Sequence, residues 1–298
     1  MKRLIIKHLL RPIFELLGLR LKTVIKESDL NKSKTLIISF TGGMGAQIFS
    51  AAILFHLKSK GYSVKADLDY FKKDRHIATV GNKEEISHWD WQLDDYGLTI
   101  ESIKNYGEQV DRKLVDTYYL PDGHLKTQLA LEALKQPYIK KQFKMPNIGK
   151  SLISLPELNL LYASNEPYIL IHLRRGDYMN VLSHMVSDDR CVEFAEKLKY
   201  LLNTAVIVSD SILKSKFKRQ IMKQFKQVIF LDGGTVSPFL THCIMRNSNI
   251  IVCSHSQYSL SAGALNDGLV IIPKITLETL QLKHVTEIDK ISDFVVFR

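Results

Sequence analysis

Cysteine is scarce in this sequence. Cys191, Cys243 and Cys253 are too few and too far apart for a disulfide framework or a structural zinc site. They read as reduced thiols of a cytosolic protein, with Cys253 on a strand. The chain lacks an uncharged apolar run long enough to span a bilayer, which excludes a polytopic membrane protein. It also lacks a Walker lysine, a G-x-G-x-x-G stretch and a Gly-x-Ser-x-Gly elbow. Those absences set aside the two common nucleotide fingerprints and the usual serine hydrolases. What is present, 45% apolar and 24% charged residues, is the composition of a globular chain rather than a disordered or collagen-like one. A length of 298 residues fits two domains or one large one.

Charge is the next asymmetry. The chain carries +10, and residues 1–34 hold nine lysines and arginines against Glu15, Glu27 and Asp29. The same stretch is rich in leucine and isoleucine, but Lys7, Arg11 and Glu15 interrupt it too often for a membrane span. No small-residue cleavage site follows, so a secretory signal is not expected. Residues 1–34 therefore read as a basic amphipathic segment for an anionic membrane surface, or as a helix packed on the body with its basic side in water. The remaining body carries only a small excess of positive charge. No basic stripe is expected on it, and so no nucleic-acid partner.

From Thr35 onward, short β-rich runs alternate with helical ones. Thr35–Phe40 reads as a buried strand, residues 41–45 as a glycine-rich turn, 46–60 as a helix and 62–67 as a second strand. This β-loop-α-β opening begins an open parallel sheet. Residues 75–145 read as helices and loops. Prolines 146, 156 and 167 mark an expected linker over 146–167. A second series then runs through strands at 168–173, 205–209, 228–231, 250–253 and 269–272, with helices at 187–202, 214–224, 238–246 and 259–265. The expected organisation is an N-terminal α/β lobe over 35–145, the linker, and a C-terminal lobe over 168–298. Ligands of such a two-lobed protein lie in the cleft, at the carboxyl ends of the strands.

Three stretches carry candidate chemistry. Thr41–Gln47 (TGGMGAQ) joins a strand to a helix, and its glycines suit either close approach of a ligand's phosphate to a helix N-terminus or a tight turn with no ligand. His172-Leu173-Arg174-Arg175-Gly176-Asp177-Tyr178 ends an apolar strand in two consecutive arginines. That arrangement suits a diphosphate, or else ion pairs with Asp177 or another carboxylate. His172 itself reads as a hydrogen-bonded core histidine or as a residue orienting that loop. Residues 254–266 (SHSQYSLSAGALN) lead a strand into a helix, and their serines either cap the helix or donate to a ligand. Asp67-Leu68-Asp69 has the Asp-x-Asp form of a metal-dependent sugar-nucleotide site, but the arginine pair already supplies phosphate charge, so no metal is expected there.

Together these stretches resemble the α-1,2-fucosyltransferases over roughly residues 35–275. The family's Gly-Gly-Leu-Gly-Asn-Gln-like loop is matched by Gly42–Gln47. Its His-x-Arg-Arg-Gly-Asp-Tyr is matched at every fixed position by His172–Tyr178, and its later Ser-Asp by Ser209-Asp210. Its Ser-Ser-Phe-Ser-Trp-Trp-Gly-Ala resembles residues 256–263. The resemblance implies an α/β fold of the GT-B type, two Rossmann-like lobes facing across a cleft. It implies inverting transfer of L-fucose from GDP-fucose to a hydroxyl of an acceptor glycan, galactose in an α-1,2 linkage, with no metal and no further cofactor. Arg174 then carries the diphosphate charge, and Asp177 is the candidate base or a positioning group. Gly43, Gly45, His172, Arg175, Ser209, Asp210, Ser256 and Ser259 line the donor site with Arg174. Ala46 replaces the family's Asn, and Leu260-Ser261 replaces the Trp-Trp pair. These departures leave open another nucleotide-sugar donor, or a member that binds without turnover. A lipid-linked acceptor of a bacterial surface polysaccharide would fit a cytoplasmic enzyme held on the inner membrane face by residues 1–34.

Overall fold

The computed structural model describes residues 35–71, 90–103, 117–119, 124–152, 155–176, 185–274, 276, 285–287 and 294–297. The basic segment 1–34, Asp177 and Tyr178 lie outside the described residues.

The first sheet has strands β1 (Thr35–Ser39), β2 (Val64–Asp67) and β3 (Thr117–Tyr119), all parallel, in the order β2-β1-β3. Leu36, Ile37 and Ile38 are all buried, which is why β1 reads as a continuous apolar run rather than an alternating one. Helix α1 (Met44–Ser59) connects β1 to β2 and buries Ile48, Phe49, Ala51, Ala52, Ile53, Leu54 and Leu57. A helix apolar nearly all round belongs in an interior, and α1 lies inside the protein. It starts at Met44, two residues before the sequence pattern placed it.

Helices α2 (His124–Leu134) and α3 (Pro137–Lys140) follow. The stretch expected as a linker contains a 3-10 turn at Gly149–Leu152 and helix α4 (Pro156–Ser164). Pro156 sits in the first turn, where its missing N–H costs nothing. Leu158 and Leu161 are buried, so this connection is packed into the core rather than extended across it.

The second sheet contains β4 (Tyr168–Leu173), β5 (Thr204–Ser209), β6 (Gln227–Asp232), β7 (Ile250–Val252), β8 (Leu269–Pro273), β9 (Val285–Glu287) and β10 (Phe294–Phe297). Its order is β6-β5-β4-β7-β8-β10-β9. The first five strands are parallel, and β10 runs antiparallel to both β8 and β9. Counted within this sheet, the parallel strands run 3-2-1-4-5, so the strand order reverses between β4 and β7. Three sequence expectations need correction here. β3 at Thr117–Tyr119 is a strand within the 75–145 stretch expected as helices and loops. The series does not close at residue 272, because β9 and β10 extend it. Cys253 is also not on a strand: β7 ends at Val252.

Helices α5 (Asp188–Leu198), α6 (Ser215–Met222), α7 (Pro238–Arg246) and α8 (Gln257–Leu265) cover the second sheet. Along β4, Ile169, Ile171 and Leu173 face a core shared with Phe194 of α5 and with Phe217 and Ile221 of α6. Tyr168 and Leu170 face the opposite side, in a core that takes in α7, α8 and α1 and continues to β1 and β2. The two sheets therefore share one continuous apolar core.

Candidate functional site

The β4 strand empties its arginines where the strand order reverses, beside the loop that leaves β7. Crevices of this kind, at the carboxyl ends of parallel strands, are where open α/β sheets bind ligands. A cavity lies there, lined by Ile171, Phe194 and Val252 together with Arg174, Arg175 and Ser254.

The two arginines have different partners. Arg174 Nη1 pairs with Asp210 Oδ2 at 2.9 Å, and both side chains keep partial access to solvent. Asp210, just beyond β5, also accepts the amide hydrogens of Arg175 at 2.7 Å and Gly176 at 3.1 Å through Oδ1. A single carboxylate thus holds both the backbone and the first arginine of the loop. A Cβ on Gly176 would come within 2.9 Å of Asp210 Oδ2, so glycine is what lets the carboxylate approach. Arg175 turns away from Asp210. Its buried guanidinium donates to Asp188 Oδ1 at 2.9 Å, at the start of α5, and lies near Cys191 Sγ. The structure therefore places Arg175 as a tie between the β4 loop and α5, while Arg174 stays at the crevice.

His172 is buried one residue before the strand end, and its Nδ1 shares a 2.8 Å hydrogen bond with Ser254 Oγ. That bond spans the reversal between β4 and β7. Burial first, and then the charges of Arg174 and Arg175, push His172 down to about 4 against an opposing pull from Asp210, so its imidazole is neutral at pH 7. Ser259 is fully buried. Its Oγ accepts the Ser254 N–H at 3.1 Å and lies 3.2 and 3.3 Å from the carbonyls of Ser254 and Ser256. Ser256 caps α8 by accepting the Tyr258 N–H at 3.3 Å. Ser209 accepts the Ser211 N–H at 3.2 Å and shapes the loop that carries Asp210. These serines build the loops of the crevice, and Ser259 in particular is committed to its own loop.

The glycine-rich loop reaches the same region from the first lobe. Gly42 has φ +72°, a left-handed conformation that favours glycine. Gln47 pins the loop: its Nε2 donates to the carbonyls of Gly42 and Asp90 and its Oε1 accepts the Gln92 N–H, all at 2.9 Å. Gln92 Oε1 in turn accepts the Met44 N–H at 2.9 Å, capping α1. Gly43 is the extended residue just before α1. A Cβ on Gly45 would collide with the backbone of Gln257 and Tyr258, so α1 and α8 begin side by side. Neither helix has an acidic residue in its first turn. Two positive helix ends and Arg174 are thus supplied by adjoining loops, an electrostatic setting suited to a phosphate group.

The remaining expected residues fall elsewhere. Asp67 is buried, and its Oδ1 accepts the Asp69 N–H at 3.0 Å in the turn after β2. Leu260 and Ser261, where the family resemblance expects aromatics, are both buried; Ser261 Oγ bonds His242 Nε2 at 3.0 Å. They act on the packing of α8 against α7. His242 Nδ1 meets Tyr96 OH of the first lobe at 2.6 Å, completing a buried bridge between the lobes. The sequence carried no local signal for this bridge: Ser261 lies in the 254–266 stretch, but Tyr96 and His242 lie in no motif and are distant from it along the chain.

No family model matches the sequence, and no curated protein matches it. Several solved structures are similar at low identity. POFUT1 in complex with GDP-fucose is 12% identical, with 80% of this chain and 95% of that chain covered and a TM-score of 0.41. The glycosyl transferase family 9 protein from Veillonella parvula is 10% identical, with 81% of each chain covered and a TM-score of 0.43. The E. coli ADP-heptose lps heptosyltransferase II is 12% identical, with 80% of this chain and 83% of that chain covered and a TM-score of 0.41.

Proposed function

We propose that this protein is an inverting glycosyltransferase of the GT-B type that moves L-fucose from GDP-fucose to a hydroxyl of an acceptor glycan, galactose in an α-1,2 linkage. The observation that carries this reading is the position of Arg174. It emerges from the His-x-Arg-Arg-Gly-Asp-Tyr stretch at the point where strand order reverses, held by Asp210 and beside the starts of α1 and α8. In the reaction the acceptor oxygen bonds to the fucose anomeric carbon as the bond from that carbon to GDP breaks. The electron pair leaves with GDP, and Arg174 and the helix starts offset the charge that builds there. The acceptor's proton passes to a base, for which Asp177 is the candidate. No metal takes part in this reading.

The acceptor is lipid-linked, as in surface-polysaccharide assembly, and residues 1–34 hold the enzyme on the cytoplasmic face of the membrane. Incubation with GDP-fucose and galactose-terminated acceptors in EDTA should release GDP and yield a fucosylated product of inverted configuration. Turnover with a different nucleotide sugar alone would move the assignment to that donor. GDP-fucose binding without product on any acceptor would make the chain a non-catalytic binder.

A further inference from the structure

The overall charge of the folded body conceals a local concentration. Between Ser211 and Leu231 there are five lysines and one arginine and no acidic residue. The structure gathers most of them on one surface, contrary to the expectation that the body has no basic stripe. Helix α6 buries Phe217 and Ile221 against the sheet and exposes Lys216, Arg219, Met222 and Lys223 on its outer side, with Lys214 and Lys226 exposed at its two ends. Lys218 is engaged, by Asp232 at 2.8 Å. The other five cations have no acidic partner among the described residues. Glu196, on neighbouring α5, is paired with Lys199.

Large apolar side chains stand among these cations. Ile212 is 83% exposed, Met222 50%, Tyr200 80% and Leu201 56%. Lys199 ties the turn bearing Tyr200 and Leu201 to the end of α6 through Gln224, and the Lys226 N–H donates to the Asn203 carbonyl. The surface therefore runs from Ile212, along α6, to the Tyr200–Leu201 turn. Exposed apolar side chains set among unpaired cations mark an interaction surface.

We propose that this face of the second lobe docks on an anionic lipid bilayer, with Ile212, Met222, Leu201 and Tyr200 entering the headgroup region and the lysines paired with lipid charge. Lysine predominates, and it is a hydrated point charge on a flexible stem rather than the planar fork that suits bidentate phosphate recognition. Aliphatic tips and an interfacial tyrosine gain from a membrane boundary and gain little from a nucleic-acid backbone. Ile212 lies two residues from Asp210, so docking brings the Arg174 loop close to the bilayer. Neither residues 1–34 nor the proposed chemistry is needed for this inference.

The test is a site-specific probe on the full chain. Cys191, Cys243 and Cys253 are buried, so Met222→Cys can be labelled with an environment-sensitive fluorophore. Leu160→Cys on α4, which packs into the core on the other side of the sheet, serves as control. Phosphatidylglycerol-containing vesicles should blue-shift the probe at position 222 and leave the one at 160 unchanged, phosphatidylcholine vesicles should shift neither, and added salt should weaken the response. Neutralising the outer face with K216Q/R219Q/K223Q should lower affinity at the 222 probe about a hundredfold, at about fivefold per cation, without lowering Tm. The proposal is overturned if vesicles pellet the protein while the 222 probe stays unchanged, or if the 222 probe of the triple variant responds at the same lipid concentration as the parent's. A tighter response to a single-stranded oligonucleotide than to the vesicles at equal salt would reassign the face to nucleic acid.

Discussion

Gly45 and Tyr258 touch backbone to backbone, and through this contact helix α1 of the first lobe starts alongside helix α8 of the second. No side chain fits between them. Gly45→Ala should therefore force the helices apart and cost about 1–3 kcal/mol of stability, and more if the backbone cannot shift. Chemical denaturation of the variant measures this. A Gly45→Ala protein as stable as the parent would mean that the two helix starts are not in contact.

Arg174 and Arg175 are neighbours in sequence with opposite roles, and substitution should separate them. Arg175→Ala leaves Asp188 and the α5 junction without their partner and should cost about 1–3 kcal/mol, below the roughly 3–5 kcal/mol of a fully buried pair because Asp188 is partly exposed. Arg174→Ala leaves Asp210 with the Arg175 and Gly176 amides as donors, so it should cost less stability than Arg175→Ala and lower turnover by about 10²–10³-fold, the usual effect of removing one preorganised donor. Paired denaturation and rate measurements check both. A collapse of stability in Arg174→Ala with activity kept in Arg175→Ala would invert the assignment.

Asp210→Asn keeps an oxygen for the Arg175 and Gly176 amides but loses the charge opposite Arg174. It should remain folded and lose turnover nearly as much as Arg174→Ala. The double variant should then be little worse than either single one, because the two groups act as a unit. Strictly additive losses would show that Asp210 acts apart from Arg174.

The two buried histidines should make the protein sensitive to mild acid. Burial holds both His172, at about 4, and His242 below the ordinary value near 6.5. The unfolded chain therefore binds more protons between about pH 6.5 and pH 4. Stability is complete above that window and falls as pH drops through it, with His172 contributing about 3 kcal/mol. Urea midpoints should decline from pH 7 to pH 5, and His172→Asn should flatten the decline. A parent midpoint that does not change over that range would contradict the neutral, buried state of these rings.

Much of the fold was legible in the sequence because its strands are buried on both faces and read as unbroken apolar runs, as in residues 35–39, 168–173 and 204–209. Helix α7 was legible from Pro238, which marks its first turn. β9 and β10 were not, because strands of three and four residues depend on their pairing, β10 with β8 and the edge strand β9 with β10, more than on their own pattern. At the site, the arginine motif and the two strand-to-helix loops were visible as motifs. The division of labour between Arg174 and Arg175 was not, since it depends on which carboxylate, Asp210 or Asp188, the chain brings to each. The basic face of α6 was hidden for a different reason: net charge averages over the surface, while folding sorts Phe217 and Ile221 inward and the lysines outward.

The most direct test of the central claim is thermal stability with GDP, GDP-fucose, GDP-mannose and UDP-galactose, each with and without EDTA, because it needs no acceptor. A ligand at one hundred times its Kd adds about 2.7 kcal/mol to stability, a readily measured rise in Tm. Stabilisation by GDP and GDP-fucose that is insensitive to EDTA and lost in Arg174→Ala is the expected result. A shift with UDP-galactose alone that disappears in EDTA would contradict the account and turn attention to Asp67 and Asp69.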